Sequence, residues 1–332
     1  MTEPLKPLLT TTDWNSEWKR LQVLRNGPAD ADAWDRRAPT FPTAHGSQSG
    51  YAERFLQLAG IRSHESVMDM GCGTGVLSVP LAEAGHPVIA ADFSSGMLNI
   101  LMEQVAALGG SERDPSDPDV RVIKMSWEDD WEHFGVRRHC VDVALASRSI
   151  ATSDLEAALM KLDAVARRRV CITLACAGSP RVDYQMLRDL GIPTRPSRDF
   201  LYAFNILAAN GILPEVAYIP SSRYDSFDSV DEARAFFREM VEQTAAEYAT
   251  DAQVTEALSR LDDWIERNIV ACDSASTPPE ESADAPGSAH EQKTHRPSGD
   301  SLPARESARA PKLLRTRNKR TMTWAFLAWN KQ

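Results

Sequence analysis

The chain has 332 residues, 42% of them hydrophobic and 25% charged, with a formal net charge of −10. This composition suits a globular protein with a sizeable core, and the acidic balance argues against a general affinity for nucleic acid or anionic membrane. No apolar run reaches the roughly 18 residues of a membrane span, and the polar N-terminal stretch lacks the apolar centre of a secretory signal, so a cytoplasmic protein is expected.

Residues 1–50 carry Trp14, Trp18 and Trp34 among many charges and read as an N-terminal helical cap or lid. A short helix follows over 51–58, and from there strand and helix patterns alternate. Strands are expected at 66–70, 86–91, 120–125, 141–146 and 169–175, with helices over 76–84, 95–108 and 154–166 between them. Strands separated by helices of about 10–15 residues imply right-handed crossovers and a mainly parallel sheet. A helix over 200–209 and a sixth strand over 215–219 complete a domain spanning 51–220. Residues 221–271 read as a helical insertion. Its first helix opens on the capping box Ser229-x-x-Glu232 and carries Phe236, Phe237 and Met240. Its second places Val254, Leu258, Leu261, Trp264, Ile265 and Ile269 at helical spacing. The stretch 272–312 is a linker, rich in Ser, Ala, Pro, Glu and Asp and expected to be disordered. The apolar run 321–329, within 313–332, fits a final strand that returns to the sheet.

The expected fold is therefore α/β: a Rossmann-like doubly wound sheet, mainly parallel with an antiparallel last strand. N-terminal helices and a helical insertion before the last strand are added to it. Five cysteines (Cys72, Cys140, Cys171, Cys176, Cys272) form no CxxC pair and sit near no histidine at ligand spacing, so free thiols and no metal are expected.

The segment that carries chemistry is Val67-Met-Asp-Met-Gly-Cys-Gly-Thr-Gly75. An apolar strand ends in an acidic residue, Asp69, and runs through three alternating glycines into a helix. Gly71, Gly73 and Gly75 permit a tight turn and a close backbone approach to a ligand, and the helix that follows presents free N–H groups. Asp92 ends the next strand, where a carboxylate can accept hydrogen bonds from two ribose hydroxyls.

The spacing is GxGxG, whereas dinucleotide-binding domains use GxGxxG. The DxGxGxG arrangement resembles motif I of class I S-adenosylmethionine-dependent methyltransferases. Asp92-Phe-Ser-Ser-Gly-Met97 is similar to that family's D-x-S-x-x-M stretch, and Lys124-Met-Ser-Trp-Glu-Asp129 falls where its adenine-contacting loop lies. Val141-Asp142 looks like its fourth strand, and Thr323-Trp-Ala-Phe-Leu-Ala-Trp329 resembles its closing strand. The resemblance covers about 50–220 and 320–330. It implies S-adenosylmethionine as cofactor, with Asp69 and the Gly71–Gly75 backbone holding its methionine part and Asp92 its ribose. Ser126 and Trp127 would meet the adenine edge, with Glu128 and Asp129 nearby; the family often has aspartate where Ser126 stands. Cys72, Phe93, Met97 and Ser147 fall within or beside the same segments and complete the expected cofactor set.

In this family the acceptor lies beyond the fourth strand, where this chain has Ala146-Ser-Arg-Ser149. Arg148 is a candidate for binding a carboxylate or phosphate of the acceptor. Its plainer reading is a surface arginine paired with a local acid. Trp34 with its arginine neighbours, His45 and Tyr51 could form a lid, with Tyr51 touching the cofactor carboxylate and His45 a candidate base; the alternatives are a Trp34 that simply packs on the domain and a structural or solvent-exposed histidine. Tyr202, Asn205 and the aromatic residues of 229–270 could line a pocket, with core packing as the default. The basic run 305–320 holds seven positive residues and one negative, and reads as a solvated linker. Methyl transfer to a small-molecule acceptor is the expected function. An RNA or protein methyltransferase is the alternative, as is a module that binds the cofactor without turnover. An Asn/Asp-Pro-Pro-aromatic tetrapeptide after the fourth strand would favour a nucleic-acid acceptor, and none is present.

Overall fold

The computed structural model describes residues 12–25, 30–41, 43, 50–108, 119–176, 182–195, 197–272 and 313–331. His45 and the linker 273–312 lie outside these residues, as does the start of the basic run.

Three helices precede the sheet: α1 (Trp14–Leu24), α2 (Ala31–Arg37) and α3 (Tyr51–Ala59). Asp13 and Asp30 start the first two, each carboxylate accepting a backbone N–H of the first turn. Gly60, in the left-handed region at φ 58°, ends the third. The α/β core then runs β1 (Val67–Met70), α4 (Ser78–Glu83), β2 (Val88–Asp92), α5 (Ser95–Leu108), β3 (Val120–Lys124), β4 (Val141–Ser147), α6 (Leu155–Val165) and β5 (Ala166–Cys176). After it come α7 (Tyr184–Asp189), α8 (Asp199–Ala209), β6 (Glu215–Arg223), β7 (Ser226–Phe227), α9 (Val230–Tyr248), α10 (Asp251–Ser259) and α11 (Leu261–Asn268). The chain closes with β8 (Ile269–Ala271), β9 (Leu314–Thr316) and β10 (Arg320–Asn330).

Seven strands form one sheet in the order β3-β2-β1-β4-β5-β10-β6. Neighbours from β3 to β5 are parallel, and β10 is antiparallel to both β5 and β6. The central strands are buried on both faces, whereas the edge strands β3 and β6 are partly exposed. Met68, Ala144, Ile172 and Leu327 pack with α1, α6 and α8 on one side, while Val67, Val143, Cys171 and Phe326 pack with α3, α4 and α5 on the other. Strand order reverses between β1 and β4, and a crevice at the carboxyl ends of the strands belongs at such a point.

The sixth strand extends to Arg223 because β10 pairs with it along its length, from Arg320↔Arg223 to Ala328↔Glu215. A second, three-stranded antiparallel sheet, β7-β9-β8, was not apparent in the sequence. It floors a separate apolar cluster of α7, α9, α10 and α11 that includes Phe237, Leu261 and Trp264. The single amphipathic helix expected over 254–269 is two helices jointed at Arg260, and Ile269 leaves helical geometry to pair with Thr316. The apolar spacing passes through the joint unchanged, so periodicity alone did not reveal it. The reading of 305–320 as a solvated linker is corrected at its described end: residues 314–316 are β9, and Arg320 opens β10 with its side chain buried. The chain also ties 272 to 313 directly, through a 2.8 Å hydrogen bond from Cys272 N–H to Leu313 C=O. Among the described residues no helix is long and apolar enough to cross a membrane.

Candidate active site

At the carboxyl end of β1 the three glycines all have positive φ: 72° at Gly71, 55° at Gly73 and 92° at Gly75. The reasons differ. A Cβ on Gly71 would lie 2.2 Å from Ser149 Cβ, and one on Gly75 would lie 2.4 Å from Leu101 Cδ1. A Cβ on Gly73 would meet nothing within 4 Å. Two glycines therefore let the turn pack tightly on the segment after β4 and on α5, while the middle one faces open space.

Asp69 is buried and accepts a 2.7 Å hydrogen bond from Ser78 Oγ, tying the end of β1 to the start of α4. Burial, aided by the nearby Asp92 charge, raises its carboxyl to about 6 against the opposing Ser78 bond. Asp92, at the end of β2, accepts 2.9 Å bonds from Gly73 N–H and Ser94 N–H. Burial raises its pKa as well, and these backbone bonds oppose the rise. Cys72 is buried, with its thiol pushed well above the usual value by burial and by Asp69 and Asp92, which disfavours the reactive thiolate. Phe93 is partly exposed, and Met97 is buried on the first turn of α5.

A contact with no signature in the sequence holds α5 in place. Asp35, on α2, accepts from Ser94 Oγ at 2.5 Å and from Gly96 N–H at 2.9 Å. The backbone at Gly96 approaches so closely that a Cβ there would stand 3.1 Å from Asp35 Cα. The N-terminal helix α2 thus caps the helix that follows Asp92. Trp34 beside it stacks edge-on to Phe41 and is partly buried.

The loop after β3 is fixed by its backbone. Asp129 accepts the Ser126 N–H at 2.8 Å, and Ser126 Oγ accepts the Glu128 N–H at 3.2 Å. Lys161 of α6 donates to the carbonyls of Trp127 and Asp129, and Trp127 Nε1 donates to Ser149 C=O at 3.0 Å. Ser126 and Trp127 are partly buried and Glu128 is exposed. The segment after β4 therefore touches both the glycine turn and this loop, and Ser149 Oγ adds a 2.6 Å bond to Met70 C=O.

Arg148 sits between these contacts in left-handed geometry, φ 59°, its N–H held at 3.0 Å by Thr173 Oγ1. Thr173 and Ser147 bracket the Tyr51 hydroxyl at 2.7 and 2.9 Å. Tyr51 is buried, and burial raises its phenol above the ordinary value. Its hydroxyl is thus engaged in holding β4, β5 and α3 together, while its ring lies 4.3 Å under the Arg148 guanidinium. Trp324 of β10 flanks the same arginine at 5.9 Å. Tyr202 packs edge-on against Trp14 and Trp18, and Asn205 Nδ2 bonds back to Leu201 C=O.

The turn after β1, Asp92, the 126–129 loop and Ser147–Ser149 are thus brought to one end of the sheet. Asp35 and Thr173 join the neighbourhood without a local sequence signal, because tertiary pairing alone places them there.

Residues 67–168 match the family described as a methyltransferase domain. It is 31% identical over 192 residues to an uncharacterized protein of Haemophilus influenzae, covering 56% of this chain and 65% of that one. It is 35% identical over 94 residues to the malonyl-[acyl-carrier protein] O-methyltransferase of Serratia marcescens, covering 27% and 37%. The chain therefore spans less than two thirds of the length of these curated relatives. Among solved structures it is similar to magnesium protoporphyrin IX methyltransferase from Synechocystis, at 19% identity, with 63% of this chain and 90% of that chain covered and a TM-score of 0.39.

Proposed function

We propose that the protein transfers a methyl group from S-adenosylmethionine to a small-molecule acceptor. The observation that carries this reading is the juxtaposition of Asp92 with the open face of Gly73 at the point where strand order reverses. Each Asp92 oxygen accepts one backbone N–H, which leaves lone pairs for a ribose diol. The residues fit the cofactor: a Gly73 side chain would intrude on the space its backbone leaves, and Asp69 and Asp92 supply acceptors for a cationic ligand. Ser126, Trp127 and Glu128 stand on a loop whose backbone Lys161 and Asp129 immobilise, which suits a flat heterocycle.

When bound, S-adenosylmethionine supplies a methyl group already activated on a sulfonium. The protein's own task is then to position an acceptor and exclude water, which needs no dedicated nucleophile. Ser147–Ser149 would present the acceptor, and Tyr51 would stiffen that segment through Ser147 and Thr173. The alternative of an RNA acceptor draws no support from the basic run, since Arg320 is committed to the sheet and Arg315 stacks 4.3 Å over Tyr224.

Calorimetric titration with S-adenosylmethionine, with NAD in parallel, tests the reading. Saturable binding of the former alone is expected, weakened at least tenfold in Asp92→Ala. Folded protein that binds no S-adenosylmethionine would end the proposal.

A further inference from the structure

No residue of the seven in α2 is fully buried. Its aromatic side chain, Trp34, packs its ring against Phe41 and the Arg37 guanidinium, each 5.6 Å away. A helix this short is unstable alone, so α2 is folded only while it is docked. Asp35 docks it on α5: one oxygen, Oδ1, accepts from Ser94 Oγ at 2.5 Å and from Gly96 N–H at 2.9 Å. The Ser94 bond, then the Gly96 bond, hold this carboxyl below its ordinary value against the opposing effect of burial.

Ser94 makes the same contact part of the cofactor face. It is fully buried, and its hydroxyl has one proton to give. An ionised Asp35 can only accept, so the proton goes to Asp35 and a lone pair is left for the Met97 N–H at 3.1 Å. The Ser94 N–H donates to Asp92 Oδ1 at 2.9 Å. One serine thus joins the carboxylate of α2 to the carboxylate proposed to bind the ribose. Gly96 adds a steric side. Its backbone is helical and outside the left-handed region, so α5 does not itself require glycine there. The approach of α2 does. A Cβ on Gly96 would stand 3.1 Å from both Asp35 Cα and Ala38 Cβ, and Ala38 is buried.

We infer that Asp35 is a positioning residue for cofactor binding: through Ser94 it orients Asp92, so that docking of α2 and binding of the cofactor reinforce each other. This rests on the reading of Asp92 as the ribose acceptor. With α2 docked, Ser94 is fixed at its hydroxyl and at its N–H, and Asp92 Oδ1 is oriented before any ligand arrives. With α2 undocked, the Ser94 hydroxyl loses the acceptor that claims its proton, and the turn from 92 to 96 loses its outer support. Such coupling is reciprocal. Whatever docked α2 adds to cofactor affinity, the cofactor returns as stability of α2.

Limited trypsin digestion, with the products mapped by mass, tests the inference. Arg36 and Arg37 are exposed on a helix that must melt to be cut, so cleavage there reads the open population of α2. S-adenosylhomocysteine should slow this cleavage at least fivefold in the parent. Asp35→Ala should speed cleavage of ligand-free protein and weaken S-adenosylhomocysteine binding in calorimetry, each at least fivefold, and abolish the protection. Asp35→Asn keeps an oxygen that can accept both bonds and should recover most of both properties. Gly96→Ala separates docking from the integrity of α5: it raises the helical propensity of α5, yet should behave as Asp35→Ala does. Two results overturn the inference and leave the methyl-transfer reading intact. One is a parent that binds S-adenosylhomocysteine without protection of α2; the other is parental affinity in either Asp35→Ala or Gly96→Ala. A folded parent that binds no S-adenosylhomocysteine removes that reading and the inference with it.

Discussion

Gly71 and Gly73 share a backbone conformation but answer to different neighbours, and substitution separates them. Gly71→Ala drives a methyl group into Ser149 and should cost about 2–4 kcal/mol, read as a lowered midpoint in denaturant. Gly73→Ala meets open space, so only the left-handed backbone penalty of roughly 1 kcal/mol applies. Its effect should instead appear as at least tenfold weaker S-adenosylmethionine binding. Asp69 ties stability to pH. Its folded pKa of about 6 lies above its ordinary 3.8, so the native state holds the proton more tightly. Stability is then greatest below pH 3.8 as far as this group is concerned, and falls as pH rises towards 6. A gap of about two units corresponds to roughly 2–3 kcal/mol. Asp69→Asn should therefore raise the melting temperature of ligand-free protein at pH 7.5 and flatten its dependence between pH 4 and 6. The same variant should bind S-adenosylmethionine more weakly, and the parent's affinity should decline as pH drops through about 6. An unchanged melting profile in Asp69→Asn would show that the carboxyl ionises normally.

At the scale of elements, α1 is held by one deeply inserted side chain. Trp18 is fully buried, its Nε1 donates to Thr152 C=O at 2.7 Å, and Tyr202 packs edge-on against it. Trp18→Ala should cost about 3–5 kcal/mol by chemical denaturation, whereas Val23→Ala, on an exposed position of the same helix, should change little. The tryptophans of 1–50 marked this region as structured, but nothing local said that Trp18 would seat on the loop after β4. The α/β elements were legible because strand and helix periods alternate and the glycine turn punctuates them. The parts that escaped depend on distant partners. β7 has two residues and β8 and β9 have three each, too short for any period, and they exist because each completes another's hydrogen bonds. The clustering of Asp69, Gly73 and Asp92 followed from strand order, while the buried Arg320–Asp225 ion pair follows from a register between β6 and β10 that no spacing announces. Asp35 capping α5 across 61 residues is a further case, since an aspartate near a helix start is read as capping its own helix.

For the whole molecule, the hydrogen bond between Cys272 and Leu313 means that residues 273–312 leave and re-enter the fold at one place. Replacing them with a short Gly-Ser turn should therefore preserve β8–β9 pairing and cofactor binding, with a melting temperature at or above the parent's, because a shorter loop costs less to close. A large loss of stability would give the excised segment a structural duty. The position of β10 carries a different implication, one about time. Its two hydrogen-bonding neighbours, β5 and β6, are made long before it. During synthesis their facing edges stay unjoined until β10 emerges and inserts between them. Such late, sequence-distant pairing is slow and leaves sticky edges exposed meanwhile. The nascent chain thus carries an open slot in its sheet, and β5 and β6 are joined only when β10 fills it.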